Sequence, residues 1–300
     1  MASGKQNYYL AGIVAFLIWG FVSIPFRALG EYQAGQILYF RIVFAAVFLG
    51  LFFLFFKRKT VYETTSLLRS FSFKQRAKFF GLTCIGGLLL ATNWLVFLYV
   101  VQHVSIKAAT FSYFICPVIT AVLGYFLIHE KLSRKQWMAV GICIISCVLV
   151  GKDSLREMGY SLIVGSTYAL YVVSQRKNIV IDRLFILLIQ LLIIAFLLAP
   201  FYTVLVGQAP VSDGFYRRII VIAVVFTLIP LFLNLYALKG LSSGVIGFLM
   251  YMNPLVSFLL ALFYFYEPMP RLQIIAYLLI VGAIILFNYD AWIKARKNIK

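Results

Sequence analysis

Along the chain, apolar runs of about twenty residues alternate with short charged or Gly/Pro-containing breaks, and a helix needs a run of about that length to cross a hydrocarbon core roughly 30 Å thick. The pattern predicts ten spans: Tyr8 to Ala28, Gly35 to Phe56, Ala77 to Val101, Ala108 to Ile128, Trp137 to Val150, Met158 to Gln175, Leu184 to Val206, Ile219 to Leu238, Val245 to Tyr266 and Leu272 to Asn288. The fifth is short and must borrow Gln136 or Gly151 and Lys152 at its ends. The longest polar stretch, Lys57 to Arg76, reads as one loop and leaves no room for a soluble domain. The first run follows a single Lys as a signal peptide would. It continues through Ala28 without a small-residue cleavage pattern, and so counts as the first span.

Composition agrees: of 300 residues, 63% are hydrophobic and 12% charged, against about 45–50% and about 25% in soluble domains. The fold class expected is an all-α polytopic membrane protein. A net charge of +18 would suggest nucleic acid in a soluble chain, but here its distribution matters more. With the N-terminus inside, nineteen of the 27 Lys and Arg residues fall on the inner side and seven on the outer, while Arg41 lies within a span. The positive-inside rule then places both termini in the cytoplasm; the membrane expected is the plasma (inner) membrane of a bacterium. The surplus is an inner-leaflet address, and no nucleic-acid partner is expected.

The four cysteines, Cys84, Cys116, Cys143 and Cys147, all lie in apolar spans, which argues against a disulfide framework. Cys143 and Cys147 share a helix face, but no further Cys or His stands at ligand spacing; His103 and His129 belong to opposite membrane faces. No phosphate-binding loop or nucleophile arrangement is present. No metal or cofactor is expected.

The chain repeats itself. "SYFICPVITAVLGYFLIHEKL" from Ser112 reappears as "LMYMNPLVSFLLALFYFYEPM" from Leu249, and Pro117 with Pro254, like Glu130 with Glu267, differ by 137 positions. An offset of about 149 aligns the earlier spans, setting Trp19 beside Tyr168 and Arg27 beside Arg176. Five crossings separate the copies, so they run in opposite directions. The expected organisation is two inverted five-helix repeats, residues 1–151 and 152–300. Such pairs commonly enclose a midplane site that opens alternately to each side.

On "LIWG" at Leu17, "QILYFR" ending at Arg41, "NWLVFLYVVQHVSIKAATFSYFICPV" from Asn93, "HEKLSRKQWMAV" from His129 and "GFLMYMNPLVSFLLALFYFYEP" from Gly247, the chain resembles the drug/metabolite transporter superfamily, its EamA-type members and their RarD-like group. The resemblance implies ten helices in two inverted halves, cytoplasmic termini, and export or facilitation of small metabolites or drugs. Where RarD-like sequences carry GYFINP this chain has SYFICP, and Phe40 stands where they have His.

None of the nine acids lies in mid-membrane, which argues against a buried carboxylate relay. Arg41, about six residues from the outer end of its span, either snorkels or pairs with an acid such as Glu267, or anchors an oxyanion of the substrate. Asn93, Trp94, Asn234 and Asn253, with Trp19, Tyr113, Tyr168 and Tyr251, are the other candidates to line a cavity. The bland alternatives are interhelical bridges and ordinary packing. Pro117 and Pro254 each free backbone near mid-membrane and are candidate hinges. Glu130 and Glu267 are candidate gate latches, with Lys131, Arg134 or Arg176 as partners for the first and Arg271 or Arg41 for the second. The expectation is a monomeric secondary transporter of a small molecule within the bilayer, not an enzyme. A lipid-modifying membrane enzyme or a non-transporting regulator are the alternatives.

Overall fold

The computed structural model describes residues 2–104, 106–151, 155–178, 181–264 and 271–297, and every regular element among them is helical. In lipid a backbone has no water to bond, and a helix satisfies its amides within one segment. In chain order the helices are α1 (Ala2–Gly20), α2 (Ser23–Arg27), α3 (Ala34–Phe56), α4 (Arg58–Ser70), α5 (Phe73–His103), α6 (Ile106–Ile128), α7 (Arg134–Gly151) and α8 (Leu155–Lys177). There follow α9 (Arg183–Leu198), α10 (Tyr202–Leu205), α11 (Asp213–Ala223), α12 (Ile229–Ala237), α13 (Ser243–Met250), α14 (Met252–Phe263) and α15 (Arg271–Lys297).

Six stretches among the described residues are long and apolar enough to cross a membrane: Gln6–Arg27, Ala34–Phe56, Phe73–Val100, Phe111–Ile128, Arg183–Leu205 and Asp213–Ala237. The described part of each of the ten expected segments lies on one or more helices, but four miss that standard for local reasons. α7 spends its first turn on Arg134, Lys135 and Gln136. α8 carries Arg156 and Glu157 at one end and Arg176 and Lys177 at the other. The ninth segment is interrupted at Tyr251, and the apolar part of α15 is confined to Ile274–Tyr289.

The stretch expected as a loop contains a helix instead, α4. Its Val61 and buried Thr64 face the protein, while Lys59 and Glu63 form an exposed pair at 3.8 Å. Three-to-four spacing of apolar positions under a charged exterior is the pattern of a helix lying in a membrane interface. The density of charge had hidden it.

Packing follows a recurrent scheme. α5 lies against α8 and α9, and α12 and α11 lie against α1 and α3 respectively; α6 lies against α8, and α13 and α14 against α1. Three further pairs, α3 with α9, α6 with α13 and α7 with α15, complete the bundle. The α6–α13 crossing is close. A Cβ on Gly247 would stand 2.9 Å from Thr120 Cβ and 3.1 Å from the Pro117 carbonyl oxygen, so only glycine fits at that approach.

Prolines shape three helices differently. α6 runs unbroken through Pro117. Pro254 cannot bond the carbonyl of Met250, and the chain turns at Tyr251 between α13 and α14. Pro230 likewise leaves the carbonyl of Phe226 without its helical partner, next to a π turn over Val224–Leu228.

Candidate functional site

Arg41 lies seven residues into α3, about 10 Å along the helix at 1.5 Å per residue. Its guanidinium carbon sits 5.2 Å from the ring centre of Trp94 on α5 and 5.9 Å from that of Phe26 on α2. Trp94 is nine residues before the end of α5, so the cation faces rings carried by two neighbouring helices. Tyr113, half-buried against Phe97 with ring centres 5.8 Å apart, lies near the guanidinium. The Arg41 Nε is buried without a hydrogen-bond partner, although the residue as a whole is only half-buried.

A second cluster joins α1, α8 and α12. The Trp19 indole N–H donates to the Phe226 carbonyl at 3.0 Å, the group that Pro230 leaves free. Its ring meets Tyr168 edge-on, with centres 6.3 Å apart. Asn234, fully buried, donates to the Tyr168 hydroxyl at 3.2 Å and leaves its own carbonyl oxygen without a partner.

A third cluster gathers at Pro117. The Tyr251 hydroxyl donates to the Phe114 carbonyl at 2.8 Å, and the Cys147 thiol approaches the same oxygen at 3.4 Å. Tyr251 is fully buried, so this hydroxyl is committed to the packing of α6 against α13. Asn253 is half-buried on α14. Asn93 takes the bridging role: its amide donates to the Val164 carbonyl at 2.8 Å and the Thr167 hydroxyl at 3.1 Å, tying α5 to α8.

Glu130 has the most specific surroundings. One carboxylate oxygen accepts from the Ser243 amide at 2.9 Å. The other accepts from the Ser243 hydroxyl at 2.7 Å and the Gly244 amide at 3.2 Å. These are orphan donors at the start of α13, where a helix end carries partial positive charge. Arg176 Nε stands 3.6 Å from the same carboxylate and its Nη1 donates to the Leu238 carbonyl at 2.8 Å. One side chain from each of α8 and the α6–α7 loop thus clamps the turn between α12 and α13. Glu267, its counterpart in the repeat, lies outside the described residues.

Sequence reasoning missed one buried polar cluster. Arg183, 1% exposed, donates from Nη1 to the carbonyls of Asn178 at 2.7 Å and Gln175 at 3.3 Å, while its Nε and Nη2 lack partners. Gln175 and Gln190 crowd Gly86, where a Cβ would meet their amide nitrogens at 2.3 and 2.5 Å. Arg183 opens its helix after the N-cap Asp182, so its position reads as a loop charge until the fold turns it inward onto the end of α8.

The model of the EamA-like transporter family matches residues 6–152 and 156–289. An uncharacterised transporter of Pseudomonas aeruginosa is 26% identical over 96% of this chain and 95% of its own length. The uncharacterised transporter YojE of Bacillus subtilis is 27% identical over 95% of each. Protein RarD of Escherichia coli is 26% identical over 99% of this chain and 98% of its own. A solved crystal structure superposes with a TM-score of 0.71 at 16% identity, covering 98% of this chain and 99% of that one, and so shares its fold.

Proposed function

Because the chain belongs to the EamA-like transporter family and is a multi-pass membrane protein, we propose that it is a secondary transporter or facilitator exporting a small organic metabolite or drug across a bacterial plasma membrane. In this reading it works by alternating access. Ten crossings form two halves, residues 1–151 and 152–300, with opposite topology and both termini in the cytoplasm. The two matches to the family model, 6–152 and 156–289, flank that division.

The observation that carries the reading is that residues equivalent under the repeat touch each other. Tyr251 and Phe114, joined by a hydrogen bond, are 137 positions apart, and Trp19 meets Tyr168, its equivalent at the offset of 149. Contact between equivalents marks a two-fold axis. The packing scheme supports the same axis: exchanging the halves turns α5–α8 into α12–α1, α5–α9 into α11–α3 and α6–α8 into α13/α14–α1. It maps α3–α9, α6–α13 and α7–α15 onto themselves. An odd number of crossings per half then sets the axis in the membrane plane, as a two-sided gate requires.

Glu130 acts as a latch on the cytoplasmic side, holding the start of α13 while that side is closed; Glu267 serves the opposite side. Pro117 and Pro254 supply the bends. The test is flux: purified protein in liposomes is loaded with radiolabelled amino acids, nucleosides and organic acids, and movement is followed with and without ion gradients. Movement of at least one solute class is expected; none moving under any gradient overturns the proposal.

A further inference from the structure

Arg41 poses a problem of charge. A cation about 10 Å inside a membrane-spanning helix costs several kcal/mol unless something answers it. Among the described residues it forms no ion pair and donates no hydrogen bond, and its neighbours are the rings of Phe26 and Trp94. Arg183 shows what structural use of a buried guanidinium looks like in this fold: its Nη1 secures two carbonyls at the end of α8. Arg41 secures nothing.

The repeat gives a control. The helices α3 and α9 begin after N-caps Gln33 and Asp182, which are 149 positions apart, and the same offset pairs Arg41 with Gln190. The other half therefore carries a neutral amide at this place; Gln190 is fully buried, its Oε1 3.5 Å from the Tyr171 hydroxyl and its Nε2 without a partner among the described residues. Only the Arg41 copy keeps a charge and only that copy is half-buried, open to something other than packed protein. A charge retained in one half and exposed there serves the ligand, since the fold does not demand it.

The surroundings narrow the ligand. One guanidinium matches one negative charge; a phosphate monoester brings about 1.5 to 2 and would leave the excess among aromatic rings, where unpaired charge is costly. The planar fork suits a carboxylate bidentately, while the Trp94 and Phe26 rings, with Tyr113 and Phe97 beyond, offer flat apolar walls. Resting on the transport reading above, we infer that Arg41 is the carboxylate anchor of the transported solute. The solute class is small monocarboxylates with a flat or apolar body.

Binding to the purified full-length protein, measured by scintillation proximity, tests this with four radiolabelled acids: benzoate, 4-hydroxybenzoate, 3-phenylpropionate and indole-3-acetate. At least one acid is expected to bind, with its neutral amide competing about tenfold or more weakly. Arg41→Gln should weaken binding between about tenfold and a hundredfold, the range for a hydrogen bond to a charged group, and Arg41→Lys by less, since it keeps the charge and loses the fork. Gel filtration reports whether each variant remains monodisperse; if Arg41→Gln does not, Arg41→Lys and the acid–amide comparison decide. The inference is overturned if none of the acids binds, if the amide competes as well as its acid, or if monodisperse Arg41→Gln binds like the parent. Liposome flux separates the two readings: Arg41-dependent binding without movement of any solute removes the transport reading and leaves the anchor. Movement of neutral solutes without acid binding does the reverse.

Discussion

Glu130→Gln keeps the shape of the side chain and removes its charge. The remaining carbonyl oxygen can still accept from the Ser243 amide, but the new NH₂ group faces the Ser243 hydroxyl at 2.7 Å and the Gly244 amide at 3.2 Å, which the carboxylate now accepts from. The hydroxyl can rotate and accept instead; the Gly244 N–H cannot. A hydrogen bond to a charged group is worth about 1.5–3 kcal/mol, and a negative charge at a helix N-terminus adds about 0.3–1 kcal/mol. The closed arrangement should therefore lose about 2–4 kcal/mol. The ion pair is the lesser part: Arg176 Nε is 3.6 Å away; an exposed pair is worth about 0–1 kcal/mol, and the partial burial here, with side chains 26% and 14% exposed, sets it toward the top of that range. Shifting a two-state equilibrium by 2–4 kcal/mol changes its ratio by roughly 30-fold to 1,000-fold. The assay is labelling of Trp94→Cys in intact cells by an impermeant thiol reagent, read with and without Glu130→Gln, together with the thermal midpoint in detergent. Labelling from outside should fall as the carrier opens inward, the midpoint should fall, and a double-mutant cycle with Arg176→Gln should show coupling below about 1 kcal/mol. Unchanged labelling and midpoint, or coupling above about 2 kcal/mol, would refute the assignment of the carboxylate to α13.

Other expectations follow from the same geometry. Pro254→Ala restores a donor for the Met250 carbonyl at the break between α13 and α14 and should slow transport per folded molecule more than Pro117→Ala, whose helix is already continuous; equal rates in both variants and the parent would remove the hinge. Gly247→Val drives a branched side chain into Thr120 and the Pro117 carbonyl and should cost a few kcal/mol by overpacking. Gly141→Ala, with open space around it, should be neutral or up to about 1 kcal/mol stabilising; thermal midpoints compare the two. For orientation, cysteines at Lys59 and Lys297 should resist an impermeant thiol reagent in intact cells while one at Asp213 reacts, and labelling at Lys297 would invert the topology.

What the sequence made legible was whatever a one-dimensional pattern can carry. Apolar run length reports the solvent directly, so the described parts of all ten expected segments fall on helices. α4 was hidden because its inward positions include the polar Thr64 beside Val61, and a stretch this rich in Ser, Thr and charge reads as a loop. Arg176 was named as a partner for Glu130, yet the stronger partners are amides 113 and 114 positions away, and backbone donors leave no mark in a residue string. Asn93 looked like a cavity residue because a mid-span amide is rare; where its two hydrogens go depends on which helix lies beside α5, which is decided by tertiary packing. The mutual contact of Tyr251 and Phe114 could have been suspected: equivalent positions near the axis of a repeat are the ones able to meet.

Contacts across the axis have a thermodynamic consequence. If the two access states are related by exchange of the halves, the Trp19–Tyr168 ring contact joins a residue to its own equivalent, and exchange returns the same two rings. Such a contact weighs about equally in both states. The Tyr251–Phe114 hydrogen bond is not returned, because Phe114 has no hydroxyl to offer the Tyr251 carbonyl, and so it counts with the contacts away from the axis. The Glu130–Ser243 contact joins non-equivalents, and exchange trades it for a different pair. Substitutions therefore sort by parity. Those on the axis are even: they raise or lower both states together, altering abundance and speed. Those away from it are odd, and only they can tip the balance between the two sides of the membrane.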